Sequence, residues 1–274
     1  MSESESMSTS LCRLFTLPAE LRNRIYEYAL TATDDIFPQS EPYLNLDTIE
    51  DPPHNFQLSH WTQRKPHNGF NQLRFTCRFL YRETCALELK FNIIRLNLSE
   101  IMRIGPAERL PTFLASCCPR KAGWIRTLEL NNDAMTHKGC TIEEPRHFLA
   151  VTDFCRQNPL VTVRYVPNQM SPDWYSVQNV LELGVMINLV VRGKDLRWVV
   201  SPAAEFTFED GYLRRWLDEW DVAAKLNAPN LRFWPLHGLM EFDEKSLTER
   251  LVRQGSLVVD ACVKLVKEWR EVGI

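Results

Sequence analysis

The sequence predicts an α/β protein in which a small helical module precedes a mainly parallel sheet covered by helices. Three observations predict it. Short β-rich runs alternate with helix-length amphipathic segments beyond residue 92. Ahead of them, two helix-patterned segments flank a proline-rich stretch, Thr33 to Asn68. The composition, 45% hydrophobic and 24% charged, suits a chain that buries a substantial core.

Residues 1–10 are serine, glutamate and methionine with one threonine, and hold neither a basic region nor an apolar one. They read as a disordered tail and not as a secretion signal. Residues 11–92 form the helical module. Its first helix starts at Leu17-Pro18-Ala19-Glu20, because proline suits the first turn, where its missing N–H costs nothing. Leu17, Leu21, Ile25 and Ala29, with Tyr28 nearby, then recur at helical spacing, while Glu20, Arg22, Arg24 and Glu27 can face water. The helix is expected to end near Leu30. Pro38, Pro42, Pro52, Pro53 and Pro66 predict a long loop over 33–68, which also holds His54, His60, His67 and Trp61. A second helix is expected from Gly69 to Asn92, with Leu73, Cys77, Leu80, Thr84 and Leu87 on one stripe.

Residues 93–274 form the α/β domain. Strands are expected to begin near Ile93, Ile125, Val161, Leu196 and Leu231. Helices are expected over Ala107–Cys117, Pro145–Gln157, Asp173–Val191, Tyr212–Leu226 and from about Lys245 to Val272. The strand starts recur about every 35 residues, a spacing that admits two arrangements. One is an ordinary parallel sheet, and the other is a degenerate leucine-rich-repeat-like array. No asparagine ladder or leucine template is shared between the units, which favours the first. Val185 to Val200 admits a hairpin turning at Gly193-Lys194-Asp195. A helix is preferred, because Ser171-Pro172-Asp173 resembles a helix start and Gly193 a C-terminal cap.

The run from Leu17 to Leu30 resembles the opening of a large group of uncharacterised F-box-like fungal proteins, whose pattern is Leu-Pro-x-Glu-Leu-Arg-Asn-x-Ile-Tyr. The run Leu73-Arg74-Phe75-Thr76-Cys77-Arg78-Phe79-Leu80-Tyr81-Arg82-Glu83 looks like that group's second helix. Glu20-Leu21-Arg22 also matches the first of two Glu-x-Arg motifs that name a related family, and the second is absent at the corresponding place. The resemblance is specific over the first helix, looser over the second, and weak across the remaining two-thirds. It implies docking on a Skp-type adaptor of a cullin–RING ubiquitin ligase, with the downstream domain holding a substrate. The residues it implies for partner binding are Leu17, Pro18, Leu21, Ile25, Tyr26, Leu73, Cys77 and Tyr81.

Other chemistry is poorly represented. A net charge of -3 argues against a nucleic-acid partner, and Val177 to Val191 is too short and polar to span a bilayer. There is no Gly-x-Gly-x-x-Gly, phosphate-binding loop or Gly-x-Ser-x-Gly elbow, so no reaction is specified. No cofactor is expected. Eight cysteines in a long chain without a secretion signal read as reduced thiols. Cys117, Cys118, His137, Cys140, His147 and Cys155 are the best metal candidates, at a spacing matching no common zinc site. Cys118, beside Pro119-Arg120-Lys121, is the best candidate nucleophile. Trp216 and Trp220 are spaced to share a helix face, as a core pair or as interface anchors. The expectation is a non-enzymatic, protein-binding adaptor or scaffold, cytoplasmic or nuclear.

Overall fold

The computed structural model describes residues 13–31, 36–39, 57–60, 71–85, 87–97, 104–117, 122–132, 142–167, 177–199, 211–234, 244–253 and 258–274. The 1–10 tail, Trp61, Cys118, His137 and Cys140 lie outside them.

Four parallel strands form the heart of the molecule: β3 (Ile93–Asn97), β4 (Thr127–Asn131), β5 (Thr162–Val166) and β6 (Leu231–Phe233). They lie side by side in chain order. Beyond β3, the sheet continues through β1 (Ile36–Gln39), parallel to it, and β2 (Gln57–His60), antiparallel to β1. The proline-rich stretch expected as loop therefore contributes two strands. Pro38 fits because β1 pairs with β3 only at Ile36↔Ile94, so the absent N–H at Pro38 breaks no bond on that side.

Strict alternation divides the parallel strands into two faces. Ile94, Leu128, Val163 and Leu231 stand in one cross-strand row, and Leu96, Leu130, Tyr165 and Phe233 in the next; all are buried. Helices cover this face: α5 (Pro106–Ser116), α6 (Phe148–Gln157), α7 (Val177–Arg192), α8 (Gly211–Asp218) and α9 (Trp220–Ala223) from the crossovers, and α11 (Val259–Val272) after the last strand, supply residues of the same core. Placing sequential parallel strands in one direction with right-handed crossovers puts the connecting helices on one side. A further helix, α10 (Glu244–Arg253), precedes α11.

Three polar devices hold this arrangement. Glu143 accepts from the N–H groups of Ala107 (3.0 Å) and Glu108 (3.2 Å), capping α5 across 36 residues of chain. A Cβ at Gly105 would fall 2.0 Å from the Glu143 carboxylate, so that approach needs glycine. Arg192, at the end of α7, donates to the carbonyls of Ala228, Leu231 and Ile274. Ile274 in turn exchanges two backbone hydrogen bonds with Phe233 along the edge of β6. Asn230 donates to the carbonyls of Cys155 (3.0 Å), Asn158 (3.1 Å) and Val161 (2.7 Å), tying the end of α6 and the approach to β5 to β6. Asn230→Ala is expected to cost about 1–3 kcal/mol in urea denaturation, because three carbonyls lose a shared donor. Asn230→Asp is expected to cost more, since it sets a carboxylate against those oxygens.

Several expectations are corrected. The strand expected near Leu196 is a 3-10 turn, Arg197–Val199. The Asp195 carboxylate accepts from the Arg197 backbone N–H and pairs with its guanidinium, a local alternative to strand pairing. The preferred helix before it stands, with Gly193 at φ +65 closing it and Lys194 N–H donating to the Asn188 carbonyl. The single helix expected over Gly69–Asn92 is three pieces: a 3-10 turn (Gln72–Phe75), α3 (Arg78–Thr84) and α4 (Glu88–Phe91). Cys77 is extended there, and its sulfur accepts from Leu80 N–H as the cap of α3. The terminal helix is likewise two, α10 and α11.

Candidate functional site

The N-terminal module packs α1 (Arg13–Thr16) and α2 (Ala19–Leu30) against the 3-10 turn, α3 and α4. Its own small core is Tyr26, Leu30 and Leu80, with Leu14, Phe15, Leu73, Leu87 and Phe91 against it. On α2, positions 22, 26 and 30 point inward and positions 21, 25 and 28 point about a quarter-turn or more away.

The inward side is held by charge. Arg22 makes a two-pronged contact with Glu83 of α3, Nη2 to Oε1 at 2.7 Å and Nε to Oε2 at 3.1 Å. Tyr26 donates its phenol to Glu83 at 2.5 Å, and Arg22 also donates to the Leu17 carbonyl at 2.6 Å. The Arg22 hydrogen bonds hold the Glu83 carboxyl below its usual range. Burial, then the neighbouring Glu83, pushes the Tyr26 phenol up to about 12. The folded state thus favours the neutral phenol, so the stability this provides is complete below pH 10 and is lost as pH rises towards 12. In an absorbance titration of tyrosinate, Tyr26 is expected to titrate late, and Tyr26→Phe should remove its step.

The outward side is apolar. Leu21 is 47% exposed, Ile25 42% and Tyr28 90%. Phe75, Phe79 and Tyr81, from the second half of the module, are also exposed. Phe79 stacks on Phe15 at 4.6 Å, with the Arg22 guanidinium over its other side. The expected partner-binding residues thus divide. Pro18, Leu21, Ile25, Cys77 and Tyr81 are exposed, and Leu17 is partly so. Tyr26 is fully buried and Leu73 is partly buried against the internal core, so both hold the module together. Cys77 is a helix cap. Tyr28, Phe75 and Phe79 are additions; their signal in the sequence was aromatic residues within otherwise polar helix faces.

A second cluster lies on the sheet face away from the main core. Arg95, Glu129, Arg164 and Arg232 share one cross-strand row. Arg95 and Glu129 form an ion pair at 2.5 Å, and Glu129 is buried. Arg164 stacks on Trp234, its guanidinium carbon 4.4 Å from the ring centroid. Gly273, at φ +70, lies so close to Trp234 that a Cβ there would meet the indole at 2.2 Å. None of these residues stood out in the sequence, yet a signal was present: each strand carries one charged residue between two apolar ones.

Of the other candidates, Cys117, His147 and Cys155 lie among the described residues. Cys155 is buried, and burial pushes its thiol up to about 12, away from thiolate reactivity. His147 sits 3.8 Å from Glu143 and 4.0 Å from Glu108, which raise its pKa, with Glu143 the larger influence. Among the described residues no group of histidine, cysteine and carboxylate converges as a metal site, and no helix is long and apolar enough to cross a membrane. Trp216 is buried and Trp220 partly exposed, on separate helices that break at Glu219, so they share no face. No protein-family model, curated protein or solved structure matches the chain.

Proposed function

We propose that this chain is a protein-binding adaptor whose N-terminal module docks onto a Skp-type adaptor, with the α/β domain holding a second protein. The observation that carries this reading is the division of labour on α2. Its polar motif residues Arg22 and Tyr26 are spent inward on Glu83, while its apolar Leu21, Ile25 and Tyr28 face outward. A helix that keeps its oily residues in water while a partly buried ion pair fixes its orientation suits helix-in-groove recognition. The motif that resembles the F-box-like group is the one that builds this clamp. The chain-order strands of the α/β domain support reading it as a short, degenerate strand–helix array presenting its second sheet face.

The test is capture of purified Skp-type adaptor by the full chain and by Leu21→Asp plus Ile25→Asp. Burying each apolar anchor is worth about 1.5–3 kcal/mol, so the double variant should bind at least about a hundredfold more weakly. Its melting temperature should stay unchanged, because neither side chain is in the module's core. Absence of adaptor binding by the unmodified chain, or equal binding by the double variant, would overturn the proposal.

A further inference from the structure

The geometry points to an oxyanion-binding site at Arg164 and Arg232 on the polar sheet face, which takes a carboxylate- or phosphate-bearing segment of a partner protein. It deepens the reading of the α/β domain as a protein-holding surface and rests on that reading.

Arg164 and Arg232 are register partners on adjacent parallel strands, so their side chains leave the same face about 4.8 Å apart. Like charges directly opposed across strands are destabilising. Along the same row the sheet answers Arg95 with Glu129. Glu129 is also the register partner of Arg164 on its other side but is paired with Arg95, and among the described residues no carboxylate forms an ion pair with Arg164 or Arg232. Nε of Arg164 is buried without a hydrogen-bond acceptor. Its guanidinium is nevertheless held in place by Trp234, itself wedged against Gly273. A guanidinium stacked on an indole is held in one plane, and guanidiniums bind carboxylate and phosphate in two-pronged fashion. The pair lies in a row across the sheet and not at the end of a helix, which suits an extended acidic segment crossing the strands.

Binding is measured by fluorescence anisotropy with three labelled peptides of identical length, one carrying paired glutamates, one a phosphoserine and one paired glutamines, and with inorganic phosphate as competitor. The glutamate or phosphoserine peptide should bind and weaken as salt rises. Arg232→Gln, and Arg164→Gln plus Arg232→Gln, should weaken it at least tenfold, while Arg126→Gln, an exposed change of equal charge, should not. Arg232→Gln should also leave the melting temperature unchanged or raised, because it relieves repulsion; a purely structural arginine would lower it. Adaptor capture should be unaffected by these variants, which separates failure of this site from failure of α2 docking. Equal binding of the glutamine peptide, equal loss in Arg126→Gln, or binding of inorganic phosphate without either acidic peptide would overturn the inference.

Discussion

Trp216→Ala is expected to destabilise the α/β domain by about 3–5 kcal/mol. Trp216 is fully buried where α8 meets the sheet, with Phe148 at 5.5 Å and Phe233 at 5.9 Å in edge-on contact. Its indole N–H donates to the Glu143 carbonyl at 2.9 Å. Glu143 is already committed elsewhere: its N–H donates to the Tyr165 hydroxyl and its carboxylate caps α5. Removing the indole therefore opens a cavity among aromatic rings and frees the segment that fixes α5. Against a total stability of about 5–15 kcal/mol for a domain, this is a large fraction. Trp216→Phe retains most of the packing and loses only the donor, so about 1–2 kcal/mol is expected. Equilibrium urea denaturation of both variants checks the ratio; equal losses would mean that packing around the ring matters little.

Tyr26→Ala is expected to disrupt the N-terminal module selectively. A buried aromatic truncated to alanine costs about 3–5 kcal/mol, and here it also takes one donor from Glu83. Among the described residues the module's buried apolar core is Tyr26, Leu30 and Leu80, so such a loss exceeds what those side chains can offset. Hydrogen exchange should show α2 and α3 losing protection while β4, β5 and α6 keep theirs. Uniform loss across both regions would mean that the module and the sheet unfold as one. The contrast with the aspartate double variant is diagnostic: Tyr26→Ala removes adaptor binding by unfolding the platform, and the aspartates remove it from an intact one.

The strands at Ile93, Val161 and Leu231 were legible because β-branched and aromatic residues alternate there with single polar ones. The expected start at Ile125 is two residues early, since Ile125 is buried but the ladder begins at Thr127. What was not legible depended on tertiary partners. Nothing local says that Tyr26 should face Glu83, 57 residues away, in preference to solvent. The stripe through Leu21 and Ile25 was read correctly as apolar, but periodicity marks a face without saying what lies against it. The breaks at Cys77 and Asp195 come from side chains bonding to nearby backbone, a competition that helical and strand patterning ignores. The arginine row was invisible because register between strands far apart in the chain is set only once the crossovers have folded.

The bond exchange between Phe233 and Ile274 bears on how copies of this molecule behave towards one another. An uncovered final strand would offer its amides and carbonyls as a template on which a neighbouring molecule's backbone could lay down another strand. Here Ile274 occupies Phe233's backbone on that side, and Arg192 fastens Ile274 in place. Extension of the sheet from that side must first displace a segment anchored by three hydrogen bonds, so the fold carries its own barrier to edgewise polymerisation.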